Sequence, residues 1–124
     1  MKHIPVIFLA FISLHAAAQK NINIEDAHKY LNDSVIICSK IYGGKFLKKV
    51  KGSPTFLDVG GKYPNAPLTL VIWGDVRDQF HQAPELLYGK DVCIYGVIKM
   101  YKDKPEIIIR QEYQILQASR KDVH

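Results

Sequence analysis

The chain has 124 residues, of which 48% are hydrophobic and 23% charged, with a formal net charge of +5 at neutral pH. That is enough for one compact domain with its own core and too little for a multidomain enzyme. The basic balance admits contact with polyanions such as nucleic acid or acidic glycans without requiring it, because mildly basic domains are commonly just soluble.

Met1-Lys2-His3 is followed by an apolar run from Ile4 to Leu14 and then by Ala16-Ala17-Ala18-Gln19, the layout of a secretory signal peptide. The run is too short to cross a bilayer as a helix, and the small residues after it suit a signal peptidase. Residues 1–18 are therefore expected to be a cleaved leader, with no stable membrane insertion afterwards. The mature protein is expected to be a single domain over 19–124, exported to the periplasm or beyond the cell, with a polar tail over about 117–124.

Asn23 stands where an N-cap belongs, and Ile24, Ala27 and Leu31 recur at helical spacing, which predicts a short N-terminal helix acting as a lid and not as a core element. From Val35 the period becomes two. Val35, Ile37 and Ile41 share one face of a first strand that ends at Gly43-Gly44. Lys45, Lys48, Lys49 and Lys51 then lie in a basic loop broken by Gly52-Ser53-Pro54. Thr55–Val59 gives a second strand, a turn-rich connection carries Lys62 and Tyr63, and Leu68–Trp73 gives a third. Asp75 is expected to cap a helical insert interrupted at Pro84. Residues 90–101 form a fourth alternating strand, Lys102 to Pro105 a tight turn, and Glu106–Arg110 a fifth strand.

Five short strands with a helical insert between the third and fourth predict an all-β chain, and so small a sheet protects its edges best by curling into a barrel. Glycines within strand patterns, Gly96 and the pair at 43–44, suit the bends of a tightly coiled strand. The stretches 35–42, 54–60, 68–74, 89–98 and 104–110 together resemble bacterial oligonucleotide/oligosaccharide-binding (OB) domains, which occur alone in exported proteins or attached to extracellular nucleases. The resemblance covers roughly residues 24–115. It implies a five-stranded Greek-key barrel and leaves the ligand open, because OB barrels bind nucleic acids, sugars, peptides and proteins. Ser39 departs from the pattern, which usually has glycine there.

Cys38 and Cys93 are the only cysteines. No Cys-x-x-Cys or His-x-x-x-His spacing accompanies them, so no metal site and no cofactor is expected. In an OB barrel the first and fourth strands are antiparallel neighbours, and both thiols would then point outward on one surface. Directly opposite residues have Cβ atoms about 4.5–5.5 Å apart, slightly wide for a disulfide, but the closer non-hydrogen-bonded positions can be bridged with local strain, so a disulfide, two free or semi-buried thiols and intermolecular pairing are all open.

Ligands of OB barrels lie on the outer face of the second and third strands, between the loops that follow the first and fourth. The alternation puts Phe56, Asp58, Thr69, Val71 and Trp73 on that face, with Phe56 and Trp73 as stacking candidates. Lys45, Lys48, Lys49, Lys51, Lys102 and Lys104 flank it, with Lys62 and Tyr63 at the hairpin end. A nuclease would need clustered carboxylates on a metal, and Asp75 and Asp78 are accounted for as helix-start residues. The expected function is non-catalytic binding of single-stranded or flexible nucleic acid, the alternative being a module that binds a protein, glycan or small molecule. The sequence leaves the oligomeric state open.

Overall fold

The computed structural model describes residues 19–118, together with His3 and Pro5. The expected leader and the end of the chain after residue 118 lie outside the described residues. Seven strands and four short helical elements follow in the order β1 (Lys20–Asn21), a 3₁₀ helix (Ile24–Lys29), β2 (Ser34–Phe46), β3 (Thr55–Val59), β4 (Leu68–Ile72), α1 (Gly74–Arg77), a 3₁₀ turn (Pro84–Leu87), β5 (Asp91–Tyr101), β6 (Lys104–Ile108), a 3₁₀ turn (Glu112–Gln114) and β7 (Ile115–Gln117). The chain is mainly β, as its alternating stretches predict.

Hydrogen-bonded neighbours run β1-β2-β3-β4-β6-β5-β7, and β2 also pairs with β5. Strands β2, β3, β4, β6 and β5 thus close into a ring. β2 makes this possible by its length of 13 residues, which serves two partners in succession. Ser34 to Lys40 pair antiparallel with Val97 to Asp91 of β5, and Ile41 to Phe46 pair antiparallel with Val59 to Thr55 of β3, with a register shift between Ile41 and Gly43. The shift is where the strand turns from one neighbour to the other, since an extra residue bends and twists the strand that carries it. β4 and β6 are parallel, and the short strands β1 and β7 extend the β2 and β5 side.

The inward faces are those the alternation identifies. Val35, Ile37, Ile41, Leu57, Val59, Leu68, Leu70, Ile72, Val92, Ile94, Ile98 and Ile107 are fully buried in one cluster. Burying each such side chain stabilises the fold by about 1.5–3 kcal/mol relative to leaving it in water. At Gly96 an added Cβ would meet Ile107 at 2.5 Å, so the bend there is also a close approach of strands.

Several local expectations are corrected. The first strand does not stop at Gly43-Gly44 but runs to Phe46, which makes Lys45 a strand residue. The N-terminal helix is more than a lid: Ile24 and Ala27 belong to the core, while Leu31 lies beyond the helix and is 39% exposed. Asn23 occupies the N-cap position without a side-chain capping bond. Trp73, not Asp75, caps α1; Asp75 sits inside the first turn, and its carboxylate accepts the Val76 N–H. The last ring strand begins at Lys104, two residues earlier than expected, because Pro105 pairs with Met100 and the tight turn is confined to Lys102 and Asp103. β7 lies after the last strand expected from the sequence and reaches only the first residue of the expected polar tail. Only three residues long, it is defined by its partner β5 and not by its own pattern.

Cys38 and Cys93 are register partners on β2 and β5, with Cα atoms 4.0 Å apart, and they are joined in a disulfide. Of the possibilities open from the sequence, the intramolecular bond is the one formed. Such a bond belongs to an oxidising environment. No helix among the described residues is long and apolar enough to cross a membrane.

Candidate functional site

The outer side of β2, β3 and β4 carries a groove of about 360 Å³ lined by Gly44, Lys45, Phe56, Asp58, Tyr63 and Thr69. Its floor follows from register. Lys45 is opposite Phe56, Phe56 opposite Val71, and Asp58 opposite Thr69, so outward-pointing positions of three strands form adjoining rows. Gly44 permits the close approach of β2 to β3 that shapes the floor, since a Cβ there would fall 2.0 Å from the Phe56 carbonyl oxygen.

Tyr63 forms the outer wall. The residue is 69% exposed, and its ring has two ammonium groups beside it, Lys45 Nζ at 5.0 Å and Lys104 Nζ at 5.9 Å from the ring centroid. Lys104 also donates to the Pro64 carbonyl at 3.2 Å, which ties β6 to the connection between β3 and β4. A cation held over a ring face is attracted by the ring's quadrupole while its remaining N–H groups stay free for an anion.

The flanking residues divide into two groups. Lys48, Lys49 and Lys51 are exposed on the loop after β2, which is closed by the Leu47 N–H on the Pro54 carbonyl and the Ser53 hydroxyl on the Lys48 carbonyl. Trp73 supports this loop: a Cβ on Gly52, whose φ is +81°, would meet the indole at 2.9 Å, and the Gly74 N–H donates to the Gly52 carbonyl. Trp73 is 41% exposed, so part of the ring remains open beside the lysines. Phe56, by contrast, is half-buried and presents itself only into the groove. Lys102 lies in the β5–β6 turn with its ammonium 5.4 Å from the Tyr101 ring, and Lys62 is exposed on the β3–β4 connection.

The structure therefore brings Lys45, Phe56 and Tyr63 together in one groove with Lys104 beside Tyr63, and leaves Lys48, Lys49, Lys51, Lys62, Trp73 and Lys102 outside its lining. The expectation of a freely outward row is corrected at two positions. Val71 is buried on the outer side, and Asp58 is only 9% exposed. Burial raises the Asp58 carboxyl above its ordinary value, with Lys45 and Lys104 pulling the other way. Glu106, opposite Thr69 on β6, is a second carboxyl raised by burial. The sequence shows these carboxylates but not their shared row, which depends on the parallel pairing of β4 with β6.

A larger concavity of about 800 Å³ lies over the disulfide, lined by residues that include Asn21, Ile36, Tyr95 and Leu116. No lysine or arginine is among the described residues that line it.

No protein-family model matches the chain, and no curated protein matches it. Among solved structures it is similar to a putative aspartyl-tRNA synthetase from Leishmania major Friedlin, with a TM-score of 0.48 and 12% identity over 87% of this chain. The chain corresponds to 23% of that protein's length. A likeness at this level assigns neither family nor activity.

Proposed function

We propose that this protein is an exported, non-catalytic barrel of the OB type that binds single-stranded or flexible nucleic acid along the β2–β3–β4 face. The ring order supports the fold assignment: numbered within the ring, the strands run first, second, third, fifth, fourth and back to the first, with the third and fifth parallel. The observation that carries the function is the groove itself. Lys45 and Lys104 both stand beside the Tyr63 ring, and Phe56 lines the same groove, a pairing of cations with aromatic faces that suits a stacked base and its phosphates. Lys48, Lys49, Lys51, Lys62 and Lys102 extend the positive field to either side, and Trp73 offers a stacking edge at the loop end.

The test is a fluorescence-anisotropy titration with single-stranded oligonucleotides. Contact with about four to six phosphates gives a slope of log affinity against log salt of about −3 to −4 for a single strand. The Lys45→Glu/Lys104→Glu double variant is expected to lose roughly tenfold or more at low salt. No binding at tens of micromolar protein overturns the proposal, and salt-independent binding of a neutral oligosaccharide on the same groove moves the function to the glycan class.

A further inference from the structure

We propose that the groove contains a base-reading subsite that prefers guanine, with Asp58 as the residue that reads it; this rests on the nucleic-acid function proposed above. Asp58 is the anomaly of the face. It sits one residue from the end of β3, is 9% exposed, and lines the groove beside Lys45, a carboxylate in a cationic surface. The ion pairs among the described residues are Lys20–Asp33, Lys29–Asp26, Arg77–Glu85 and His81–Glu112, and none involves Asp58. Lys45 and Lys104 act on it through space without closing to contact.

A carboxylate in a cationic groove repels phosphate, so a surface that only cradled phosphate would gain by losing it. Its presence is accounted for if the ligand brings N–H donors to this point. The neighbouring walls are Phe56, two residues away on the same face of β3, and the Tyr63 ring, so the donor-bearing group is a planar heterocycle.

Among the bases, guanine matches an ionised carboxylate best. Its Watson–Crick edge carries two adjacent donors, the ring N1–H and the exocyclic N2 amino group, one for each carboxylate oxygen. Adenine and cytosine offer one amino group beside a ring-nitrogen acceptor, which would confront the second oxygen. Thymine and uracil offer one N–H between two carbonyls. Thr69, opposite Asp58 in the register and on the same groove, supplies a hydroxyl donor suited to guanine O6. A site built around paired donors rejects a ligand lacking one of them, because its own polar group is then left buried and unmatched.

The experiment compares short single-stranded oligonucleotides of alternating thymine and guanine, the same sequence with inosine for guanine, and thymine alone. Inosine keeps N1–H and lacks the N2 amino group, so it isolates the second contact. The native protein is expected to bind the guanine oligonucleotide roughly tenfold more tightly than the other two. The Asp58→Asn variant, its fold checked by circular dichroism, is expected to bind all three alike, with the preference for guanine over inosine and thymine gone. Equal affinities in the native protein overturn the guanine subsite and leave the proposed function standing. A preference that survives Asp58→Asn overturns the role of Asp58, and no binding of any oligonucleotide overturns both readings.

Discussion

A carboxylate buried among strands works against folding unless something pairs it, and Asp58 has only distant lysines. Because burial raises its folded-state pKa above the unfolded value, the ionised form is penalised in the fold. The penalty is full at neutral pH, begins to shrink as pH falls through the raised folded-state pKa, and is gone below the unfolded-state value, where both states are neutral. Asp58→Asn is therefore expected to have a urea midpoint at or above that of the native protein at pH 7, with the advantage shrinking as pH falls through the carboxylate range. A large loss of stability at pH 7 would show that the carboxylate has a structural partner.

The helical insert between β4 and β5 illustrates how an element too short to stand alone is held. α1 has four residues, far below the length at which a helix persists in water. Val76, Phe80 and Leu87 pack against the core, and Arg77 supplies the rest. Its guanidinium donates to both Glu85 oxygens at 2.6 and 3.0 Å, donates to the buried Thr55 hydroxyl at 2.9 Å, and lies 3.7 Å from the centroid of the Phe46 ring. One side chain thus joins the insert to β3 and to the end of β2, from which the lysine loop departs. Hydrogen bonding to Arg77 holds the Glu85 carboxyl below its ordinary value. Its contribution is complete above the unfolded-state pKa and is lost as pH falls through the lower folded-state value. Glu85→Gln is expected to cost about 1–2 kcal/mol at pH 7, measured by urea denaturation, with the difference from the native protein closing in acid. An unchanged midpoint at pH 7 would assign the anchoring to the apolar contacts alone.

At the scale of the whole molecule the decisive contact is β2 with β5, which closes the ring. The disulfide sits on that seam and joins residues 55 apart in sequence. Constraining an unfolded chain over a loop of that length contributes about 4 kcal/mol by chain entropy. The Cys38→Ser/Cys93→Ser double variant, or the native protein under reducing conditions, is expected to show a guanidinium midpoint lowered by the equivalent of about 3–4 kcal/mol. No change on reduction would mean that the folded ring is held by its strand pairing and core without need of the bond.

Which residues face inward was legible from the sequence, because the side-chain period of a strand is local and a buried face must be apolar to be stable. Val35, Ile37, Leu57, Leu70, Ile94 and Ile107 lie where the alternation puts them. Even the partnership of Cys38 with Cys93 could be posed, though not decided, once a strand order was assumed. The parts that escaped were those fixed by partners distant in sequence. β2 runs on past two glycines because β3 receives it, Lys104 joins a strand because Tyr101 of β5 pairs with it, and β7 exists only against β5. The groove belongs to this second class. Lys45, Tyr63 and Lys104 become neighbours, and Asp58 becomes a buried carboxylate between them, only when the ring of strands closes. Side-chain alternation follows from local backbone geometry, whereas the convergence of charges on one groove follows from pairings that no local pattern contains.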